Sequence, residues 1–121
     1  LTDEPITVEL AERVLRDIIH SNQSRPITSE VIINATSEMF GYDIDELKGK
    51  RRHRSLVQAR QISMYVVREL TDLSYPAIAR EFGGRDHTTV MHAVEKVGNQ
   101  MAERRQVYDQ VSALISDIKS Q

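Results

Sequence analysis

Apolar residues along this chain recur at three- and four-residue intervals, and no segment alternates with strand periodicity for long. Thr7 to about His20 carries Ala11, Val14, Leu15, Ile18 and Ile19 on one stripe, predicting an amphipathic helix that Asn22-Gln23-Ser24-Arg25-Pro26 breaks as a linker. A second helix is predicted from about Ser29 to Phe40, ended by Gly41, and Asp43-Ile44-Asp45-Glu46 opens a short third one with capping-box spacing. With Ser55 as its cap, the next helix buries Leu56, Ala59, Ile62, Val66 and Leu70, while Arg60, Gln61 and Arg68 fall off that stripe. Gly98-Asn99 is expected to separate a later helix from the last one, in which Met101, Tyr108, Val111, Ile115 and Ile118 pack inward. The fold class is all-α: a compact helical bundle containing a helix-turn-helix, preceded by a linker helix, in a chain long enough for one core.

The helix-turn-helix lies between those segments. Pro76-Ala77-Ile78-Ala79-Arg80-Glu81-Phe82 reads as a short helix that Ser74 caps, with Pro76 tolerated in its first turn and Gly83 ending it in the left-handed conformation. Ala79 is small and lets a second helix approach closely. In that second helix Val90, Ala93, Val94 and Val97 face inward, and Asp86 is the N-cap, accepting from an amide near Thr88 or Thr89. Polar side chains at the tip of the second helix match the layout in which such helices meet base edges. The same shape also occurs as a plain packing unit.

Charge changes the picture. The chain as a whole is slightly acidic, with 16 Lys plus Arg against 18 Asp plus Glu, which argues weakly against a nucleic-acid partner. The sum conceals an asymmetry: residues 1–47 carry three basic and ten acidic side chains, whereas residues 48–121 carry thirteen and eight. From Lys48 to Arg68 seven cationic residues follow one another without a single acid. Such a run is most often a solvated face, but here it adjoins a helix-turn-helix. Lys48-Gly49-Lys50-Arg51-Arg52-His53-Arg54 lacks apolar periodicity and reads as an exposed loop, and loop arginines can insert into a narrow, A·T-rich minor groove. Arg60, Gln61 and Arg68 are suited to phosphate oxygens, which contribute salt-dependent affinity without reading sequence.

The run FGGRDHTTVMHA, the upstream KRRHR loop and the following RQISMYVVRELT resemble the C-terminal DNA-binding domain of DnaA, the bacterial chromosomal replication initiator, over roughly Ser29 to Ser120. Residues 6–17 resemble the last helix of the ATPase module, of the AAA+ lid type, that precedes this domain. The chain is accordingly expected to be a fragment, with residues 1–27 closing that module and 28–121 forming the DNA-binding domain. The resemblance implies that the recognition helix enters the major groove of a DnaA box, with Asp86, His87 and Thr88 at base-reading positions. Thr89 and His92 match positions close to thymine or phosphate. Arg52 matches the arginine that probes the minor groove, a contact open to Arg51 or Arg54 as well; Lys50 and Arg54 are expected at phosphates, and Arg60, Gln61, Arg68 and Pro76 match backbone-contacting positions. Chemistry is compatible with these roles: a carboxylate accepts from cytosine N4, an imidazole donates or accepts, and a Thr methyl packs on thymine.

Other chemistry is disfavoured. His87 and His92 are five residues apart, the chain has no cysteine and no HExxH, and a zinc site is not expected. Asp86-His87-Thr88 is no catalytic triad, since adjacent helical residues diverge. GxxxxGK[ST] is absent, so no P-loop ATP binding is expected and no cofactor is assigned. The ATP, Mg²⁺ and self-assembly that the resemblance implies belong to missing modules, and regulatory proteins are further expected partners. Cytoplasmic, nucleoid-associated localisation is expected. Two other readings are a helix-turn-helix transcription regulator and a membrane-surface or protein-interaction module built on the first helix. Acidic phospholipid is a weak expectation, because Glu9, Glu12 and Asp17 outnumber Arg13 and Arg16 there.

Overall fold

A computed structural model describes residues 26–120, and the expected helix over Thr7–His20 lies outside them. Six helices follow one another in the described residues: α1 (Ser29–Phe40), α2 (Ile44–Lys48), α3 (Arg54–Leu70), α4 (Tyr75–Glu81), α5 (His87–Glu103) and α6 (Arg105–Lys119).

Local chemistry explains most of the boundaries. Thr28 accepts from the Val31 amide to start α1, and Gly41 ends it at φ 74°, donating its amide to the Ser37 carbonyl. Asp43 and Glu46 form the reciprocal capping box of α2, and Ser74 accepts from the Ala77 amide at the head of α4. One boundary differs from expectation. His53 is the N-cap of α3 and Arg54 its first residue, whereas Ser55 lies inside the first turn with its hydroxyl against that of Tyr42.

α3 is the central helix: it packs most extensively on α5 and also touches α1, α2, α4 and α6. Its buried surface is correspondingly wide, comprising Leu56, Ala59, Arg60, Ile62, Ser63, Met64, Val66 and Val67, with Leu70 only partly covered. Ser63 meets the buried Thr36 hydroxyl of α1 at 3.0 Å, so the polar pair inside the bundle is mutually satisfied. Across the helix-turn-helix, Ile78, Ala79, Phe82, Val90, Ala93 and Val97 join the same core, and Phe82 is its largest fully buried side chain.

The last third of the chain corrects two expectations. Gly98-Asn99 does not end a helix: α5 runs through both residues to Glu103 and the break falls at Arg104. Packing outweighs the local preference of glycine here, because Val97 is buried, Met101 is partly covered by the core, and Gln58 of α3 donates to the Gln100 side chain at 3.0 Å. In α6 the inward stripe is Val107, Val111, Leu114 and Ile118, with Ile115 partly covered. Tyr108 is 48% exposed and Met101 belongs to α5.

A Cβ at Gly98 would sit 3.8 Å from a Tyr65 ring carbon, ordinary van der Waals contact. Gly98→Ala is therefore expected to stabilise the domain by about 0.5–1 kcal/mol through helix propensity. The check is a higher urea midpoint at unchanged m.

Candidate nucleic-acid interface

The turn between α4 and α5 is built on two consecutive glycines with positive φ, Gly83 at 83° and Gly84 at 77°. Reversal of the backbone there lets the amides of Gly84 and Arg85 both donate to the Ala79 carbonyl, at 3.0 and 3.1 Å, closing the end of α4. Gly83 also permits a close approach, since a Cβ on it would lie 2.4 Å from the Lys48 carbonyl oxygen. The sequence points to Gly83 as the turn residue; the second left-handed residue at Gly84 carries no separate signal.

Asp86 then caps α5. Its Oδ1 accepts from the Thr88 amide at 2.9 Å and from the Thr88 hydroxyl at 2.8 Å. These two hydrogen bonds, with a smaller contribution from the His87 charge, hold the carboxyl below the usual aspartate range. His87 Nδ1 lies 3.6 Å from the same oxygen, an ion pair only when the imidazole is protonated. His87, Thr88, Thr89, Met91 and His92 are all exposed at this end of α5, while Val90 and Ala93 are buried beneath them. Thr88 spends its hydroxyl proton on Asp86, so it presents acceptor lone pairs and a methyl outward.

Beside this tip runs a groove of about 580 Å³ between the basic loop, α3 and the helix-turn-helix. Lys50 and Arg52 line it from the loop, Gln61 and Arg60 from α3, and Asp86 and Thr89 from α5. Lys50, Arg51, Arg52 and Arg54 are all exposed, with Arg51 also 4.0 Å from the Glu46 carboxylate. Gln61 keeps its Oε1 buried without a hydrogen-bond partner.

Arg60 does not fall off the buried stripe of α3. It is 5% exposed, its Nε donates to the Leu47 carbonyl at 2.7 Å and its Nη2 to the Glu46 carbonyl at 2.8 Å. Burial, followed by the nearby Arg85 charge, lowers its pKa. Periodicity placed this residue by angle alone, and the angle is occupied by the end of α2. Arg68 is exposed as expected, yet it too is engaged: its Nη1 donates to the Leu73 carbonyl at 3.0 Å and its guanidinium lies 4.1 Å from the centroid of the Tyr75 ring. Pro76 stands exposed in the first turn of α4. The structure thus gathers Lys50, Arg52, Gln61, Asp86 and Thr89 around one groove with His87, Thr88 and His92 on the adjoining tip, and it sets Arg68 and Pro76 at the α3–α4 junction.

Among the described residues no group of three or more His, Cys, Asp or Glu is arranged to hold a metal ion, and no helix is long and apolar enough to cross a membrane.

A recognition-type helix whose polar tip borders a cationic groove, delivered by a glycine turn from a shorter helix, defines the helix-turn-helix class of DNA-binding domains. Comparison with known proteins narrows the class. Residues 29–97 match the family described as bacterial dnaA protein helix-turn-helix, and the chain belongs to that family. It is 50% identical over 119 residues to the chromosomal replication initiator protein DnaA of Cutibacterium acnes, covering 98% of this chain and 24% of the relative. It is 49% identical over 120 residues to the protein of that name from Corynebacterium jeikeium and 43% identical over 120 residues to that of Corynebacterium aurimucosum, covering 99% of this chain in each and 21% and 22% of the relatives. The chain therefore spans under a quarter of the length of these relatives.

Two outcomes follow from this geometry. Arg60→Met removes donors from two carbonyls at the end of α2 and is expected to destabilise the domain by roughly 1–3 kcal/mol in urea unfolding. For Asp86, the folded carboxyl has the lower pKa, so the cap is complete above the ordinary aspartate range and is lost as pH falls through the depressed value. An NMR titration of Thr88→Ala should show the Asp86 carboxyl moving back up.

Proposed function

We propose that this domain binds duplex DNA sequence-specifically at DnaA boxes of the chromosomal origin, and that its longer parent protein initiates replication there. The observation that carries this reading is the exposed Asp86-His87-Thr88-Thr89 tip beside the Lys50 and Arg52 side of the groove. On this reading the tip enters the major groove. The Thr88 methyl meets thymine, the imidazole of His87 meets a base edge, and Asp86 accepts from cytosine N4 while still capping the helix. Arg52 reaches into the neighbouring minor groove, where a narrow A·T-rich segment concentrates negative potential.

Phosphate contacts divide between two places. Lys50 and Arg54 flank the minor-groove side, while Arg68, Pro76 and His92 face the backbone from the α3–α4 junction and from α5. Arg60 serves mainly by holding the end of α2, and Gln61 offers its unpaired acceptor to a water or a bound donor in the groove. Support for origin binding comes from relatives that carry the name of chromosomal replication initiator. Residues 1–27, which precede the matched residues 29–97, are on this reading the closing segment of the module before the domain.

Fluorescence anisotropy on a box duplex and on a scrambled duplex tests the proposal. The unmodified chain should prefer the box by at least about 10³-fold. His87→Ala should erase most of that preference, and Arg52→Ala should weaken box binding by about tenfold and relax discrimination on the A·T-rich side. Equal affinity of the unmodified chain for both duplexes would sink the proposal.

A further inference from the structure

Arg85 stands between the glycine pair and the helix cap, and it points away from the exposed tip. Its Nη1 donates to the Lys48 carbonyl at 3.0 Å and to the Phe82 carbonyl, while its Nη2 donates to the Gly49 carbonyl. One guanidinium thereby ties the first residues of the basic loop to the turn of the helix-turn-helix, 36 and 37 positions away in sequence. Gly83 completes the junction, because only a residue without a Cβ lets the turn lie against the Lys48 carbonyl. On the other side of the same segment Arg60 holds the Glu46 and Leu47 carbonyls. Four successive carbonyls, 46 to 49, are thus taken by two arginines, one from α3 and one from the turn.

The position of this junction matters for reading DNA. Gly49 precedes Arg52 by three residues, and Arg85 precedes Asp86 by one. Whatever fixes Gly49 to Arg85 fixes the start of the loop relative to the tip of α5. A guanidinium can do this with planar, rigidly directed donors, whereas an ammonium on a flexible stem retains the charge without the fixed directions.

We propose that Arg85 is a positioning residue that sets the offset between the basic loop and the recognition helix, so that an A·T-rich minor-groove segment is read at only one spacing from the major-groove bases. This rests on the two-groove binding proposed above. The side chain touches neither base nor phosphate in this role; it acts through the carbonyls of Lys48 and Gly49.

The test uses the 121-residue chain and three duplexes: a box with its A·T-rich flank in place, the same box with that flank displaced by one inserted base pair, and a box with a G·C flank. The unmodified chain should lose about tenfold in affinity on either altered duplex. Arg85→Lys should compress that penalty to within about twofold while the slope of log affinity against log salt stays unchanged, since the charge is kept. An undiminished spacing penalty in Arg85→Lys overturns the inference.

A second measurement avoids any change at Arg85. The chain has no cysteine, so spin labels on Lys50→Cys and Lys96→Cys report one loop-to-helix distance. A narrow distribution in the DNA-free protein, unchanged on adding duplex, is the expected result, and a broad one that sharpens only with duplex overturns the inference. If the unmodified chain binds all three duplexes alike, the minor-groove part of the proposed function fails while box-versus-scrambled discrimination tests the rest, and the label distance still decides whether the junction is fixed.

Discussion

A five-residue helix cannot satisfy its own carbonyls, and the site depends on how α2 escapes that constraint. The Leu47 carbonyl is buried and those of Glu46 and Gly49 are partly so at the root of the cationic loop, where burial without donors would cost a few kcal/mol, and the Lys48 carbonyl lies beside them nearer the surface. Arg60 and Arg85 supply the donors. Both guanidiniums are partly removed from water, and the strain of that desolvation lowers both pKa values, with the nearby Arg85 charge adding a smaller lowering at Arg60. The carbonyl dipoles they face offset that strain. Positive charge in this region therefore has two separate uses, one in holding the backbone and one in facing outward.

The bundle orients this junction through α3. Because α3 contacts every other described helix, the loop at its N-terminus and α4 beyond its C-terminus are set by one rigid rod, and α5 lies across it on Val90, Ala93 and Val97. Deleting large side chains such as Phe82 would loosen more than the core, since the groove wall is the same turn that Phe82 anchors.

Capping chemistry was the most legible part of the chain. Gly41, the Asp43–Glu46 box, Ser74 and Asp86 act where their residue types say they should, because each hydrogen bond closes within three or four positions. The Val90, Ala93 and Val97 face was legible for the same local reason. What the sequence hid depends on partners distant in the chain. Arg60 reads as solvent-facing until the end of α2 is placed over it, and Arg85 looks like one more cation until the Lys48 and Gly49 carbonyls arrive. Gly98 looks like a terminator because what carries the helix past it comes from the core around Val97 and from Gln58 on another helix, which bonds Gln100. In α6 the spacing of Val111, Ile115 and Ile118 does mark the covered face, whereas Val107 and not Tyr108 is the inward residue of its first turn.

The hydrogen bonds between Asp86 and Thr88 have a consequence for the thermodynamics of association. A helix end already folded back on itself has few rotamers left to freeze, so the tip of α5 would meet a partner with its ordering entropy largely spent during folding. The exposed side chains of Lys50 and Arg52 have made no such commitment. Encounter would then divide into a rigid first contact, rich in enthalpy and poor in entropic loss, and a slower settling of flexible cations whose cost is met by released counterions.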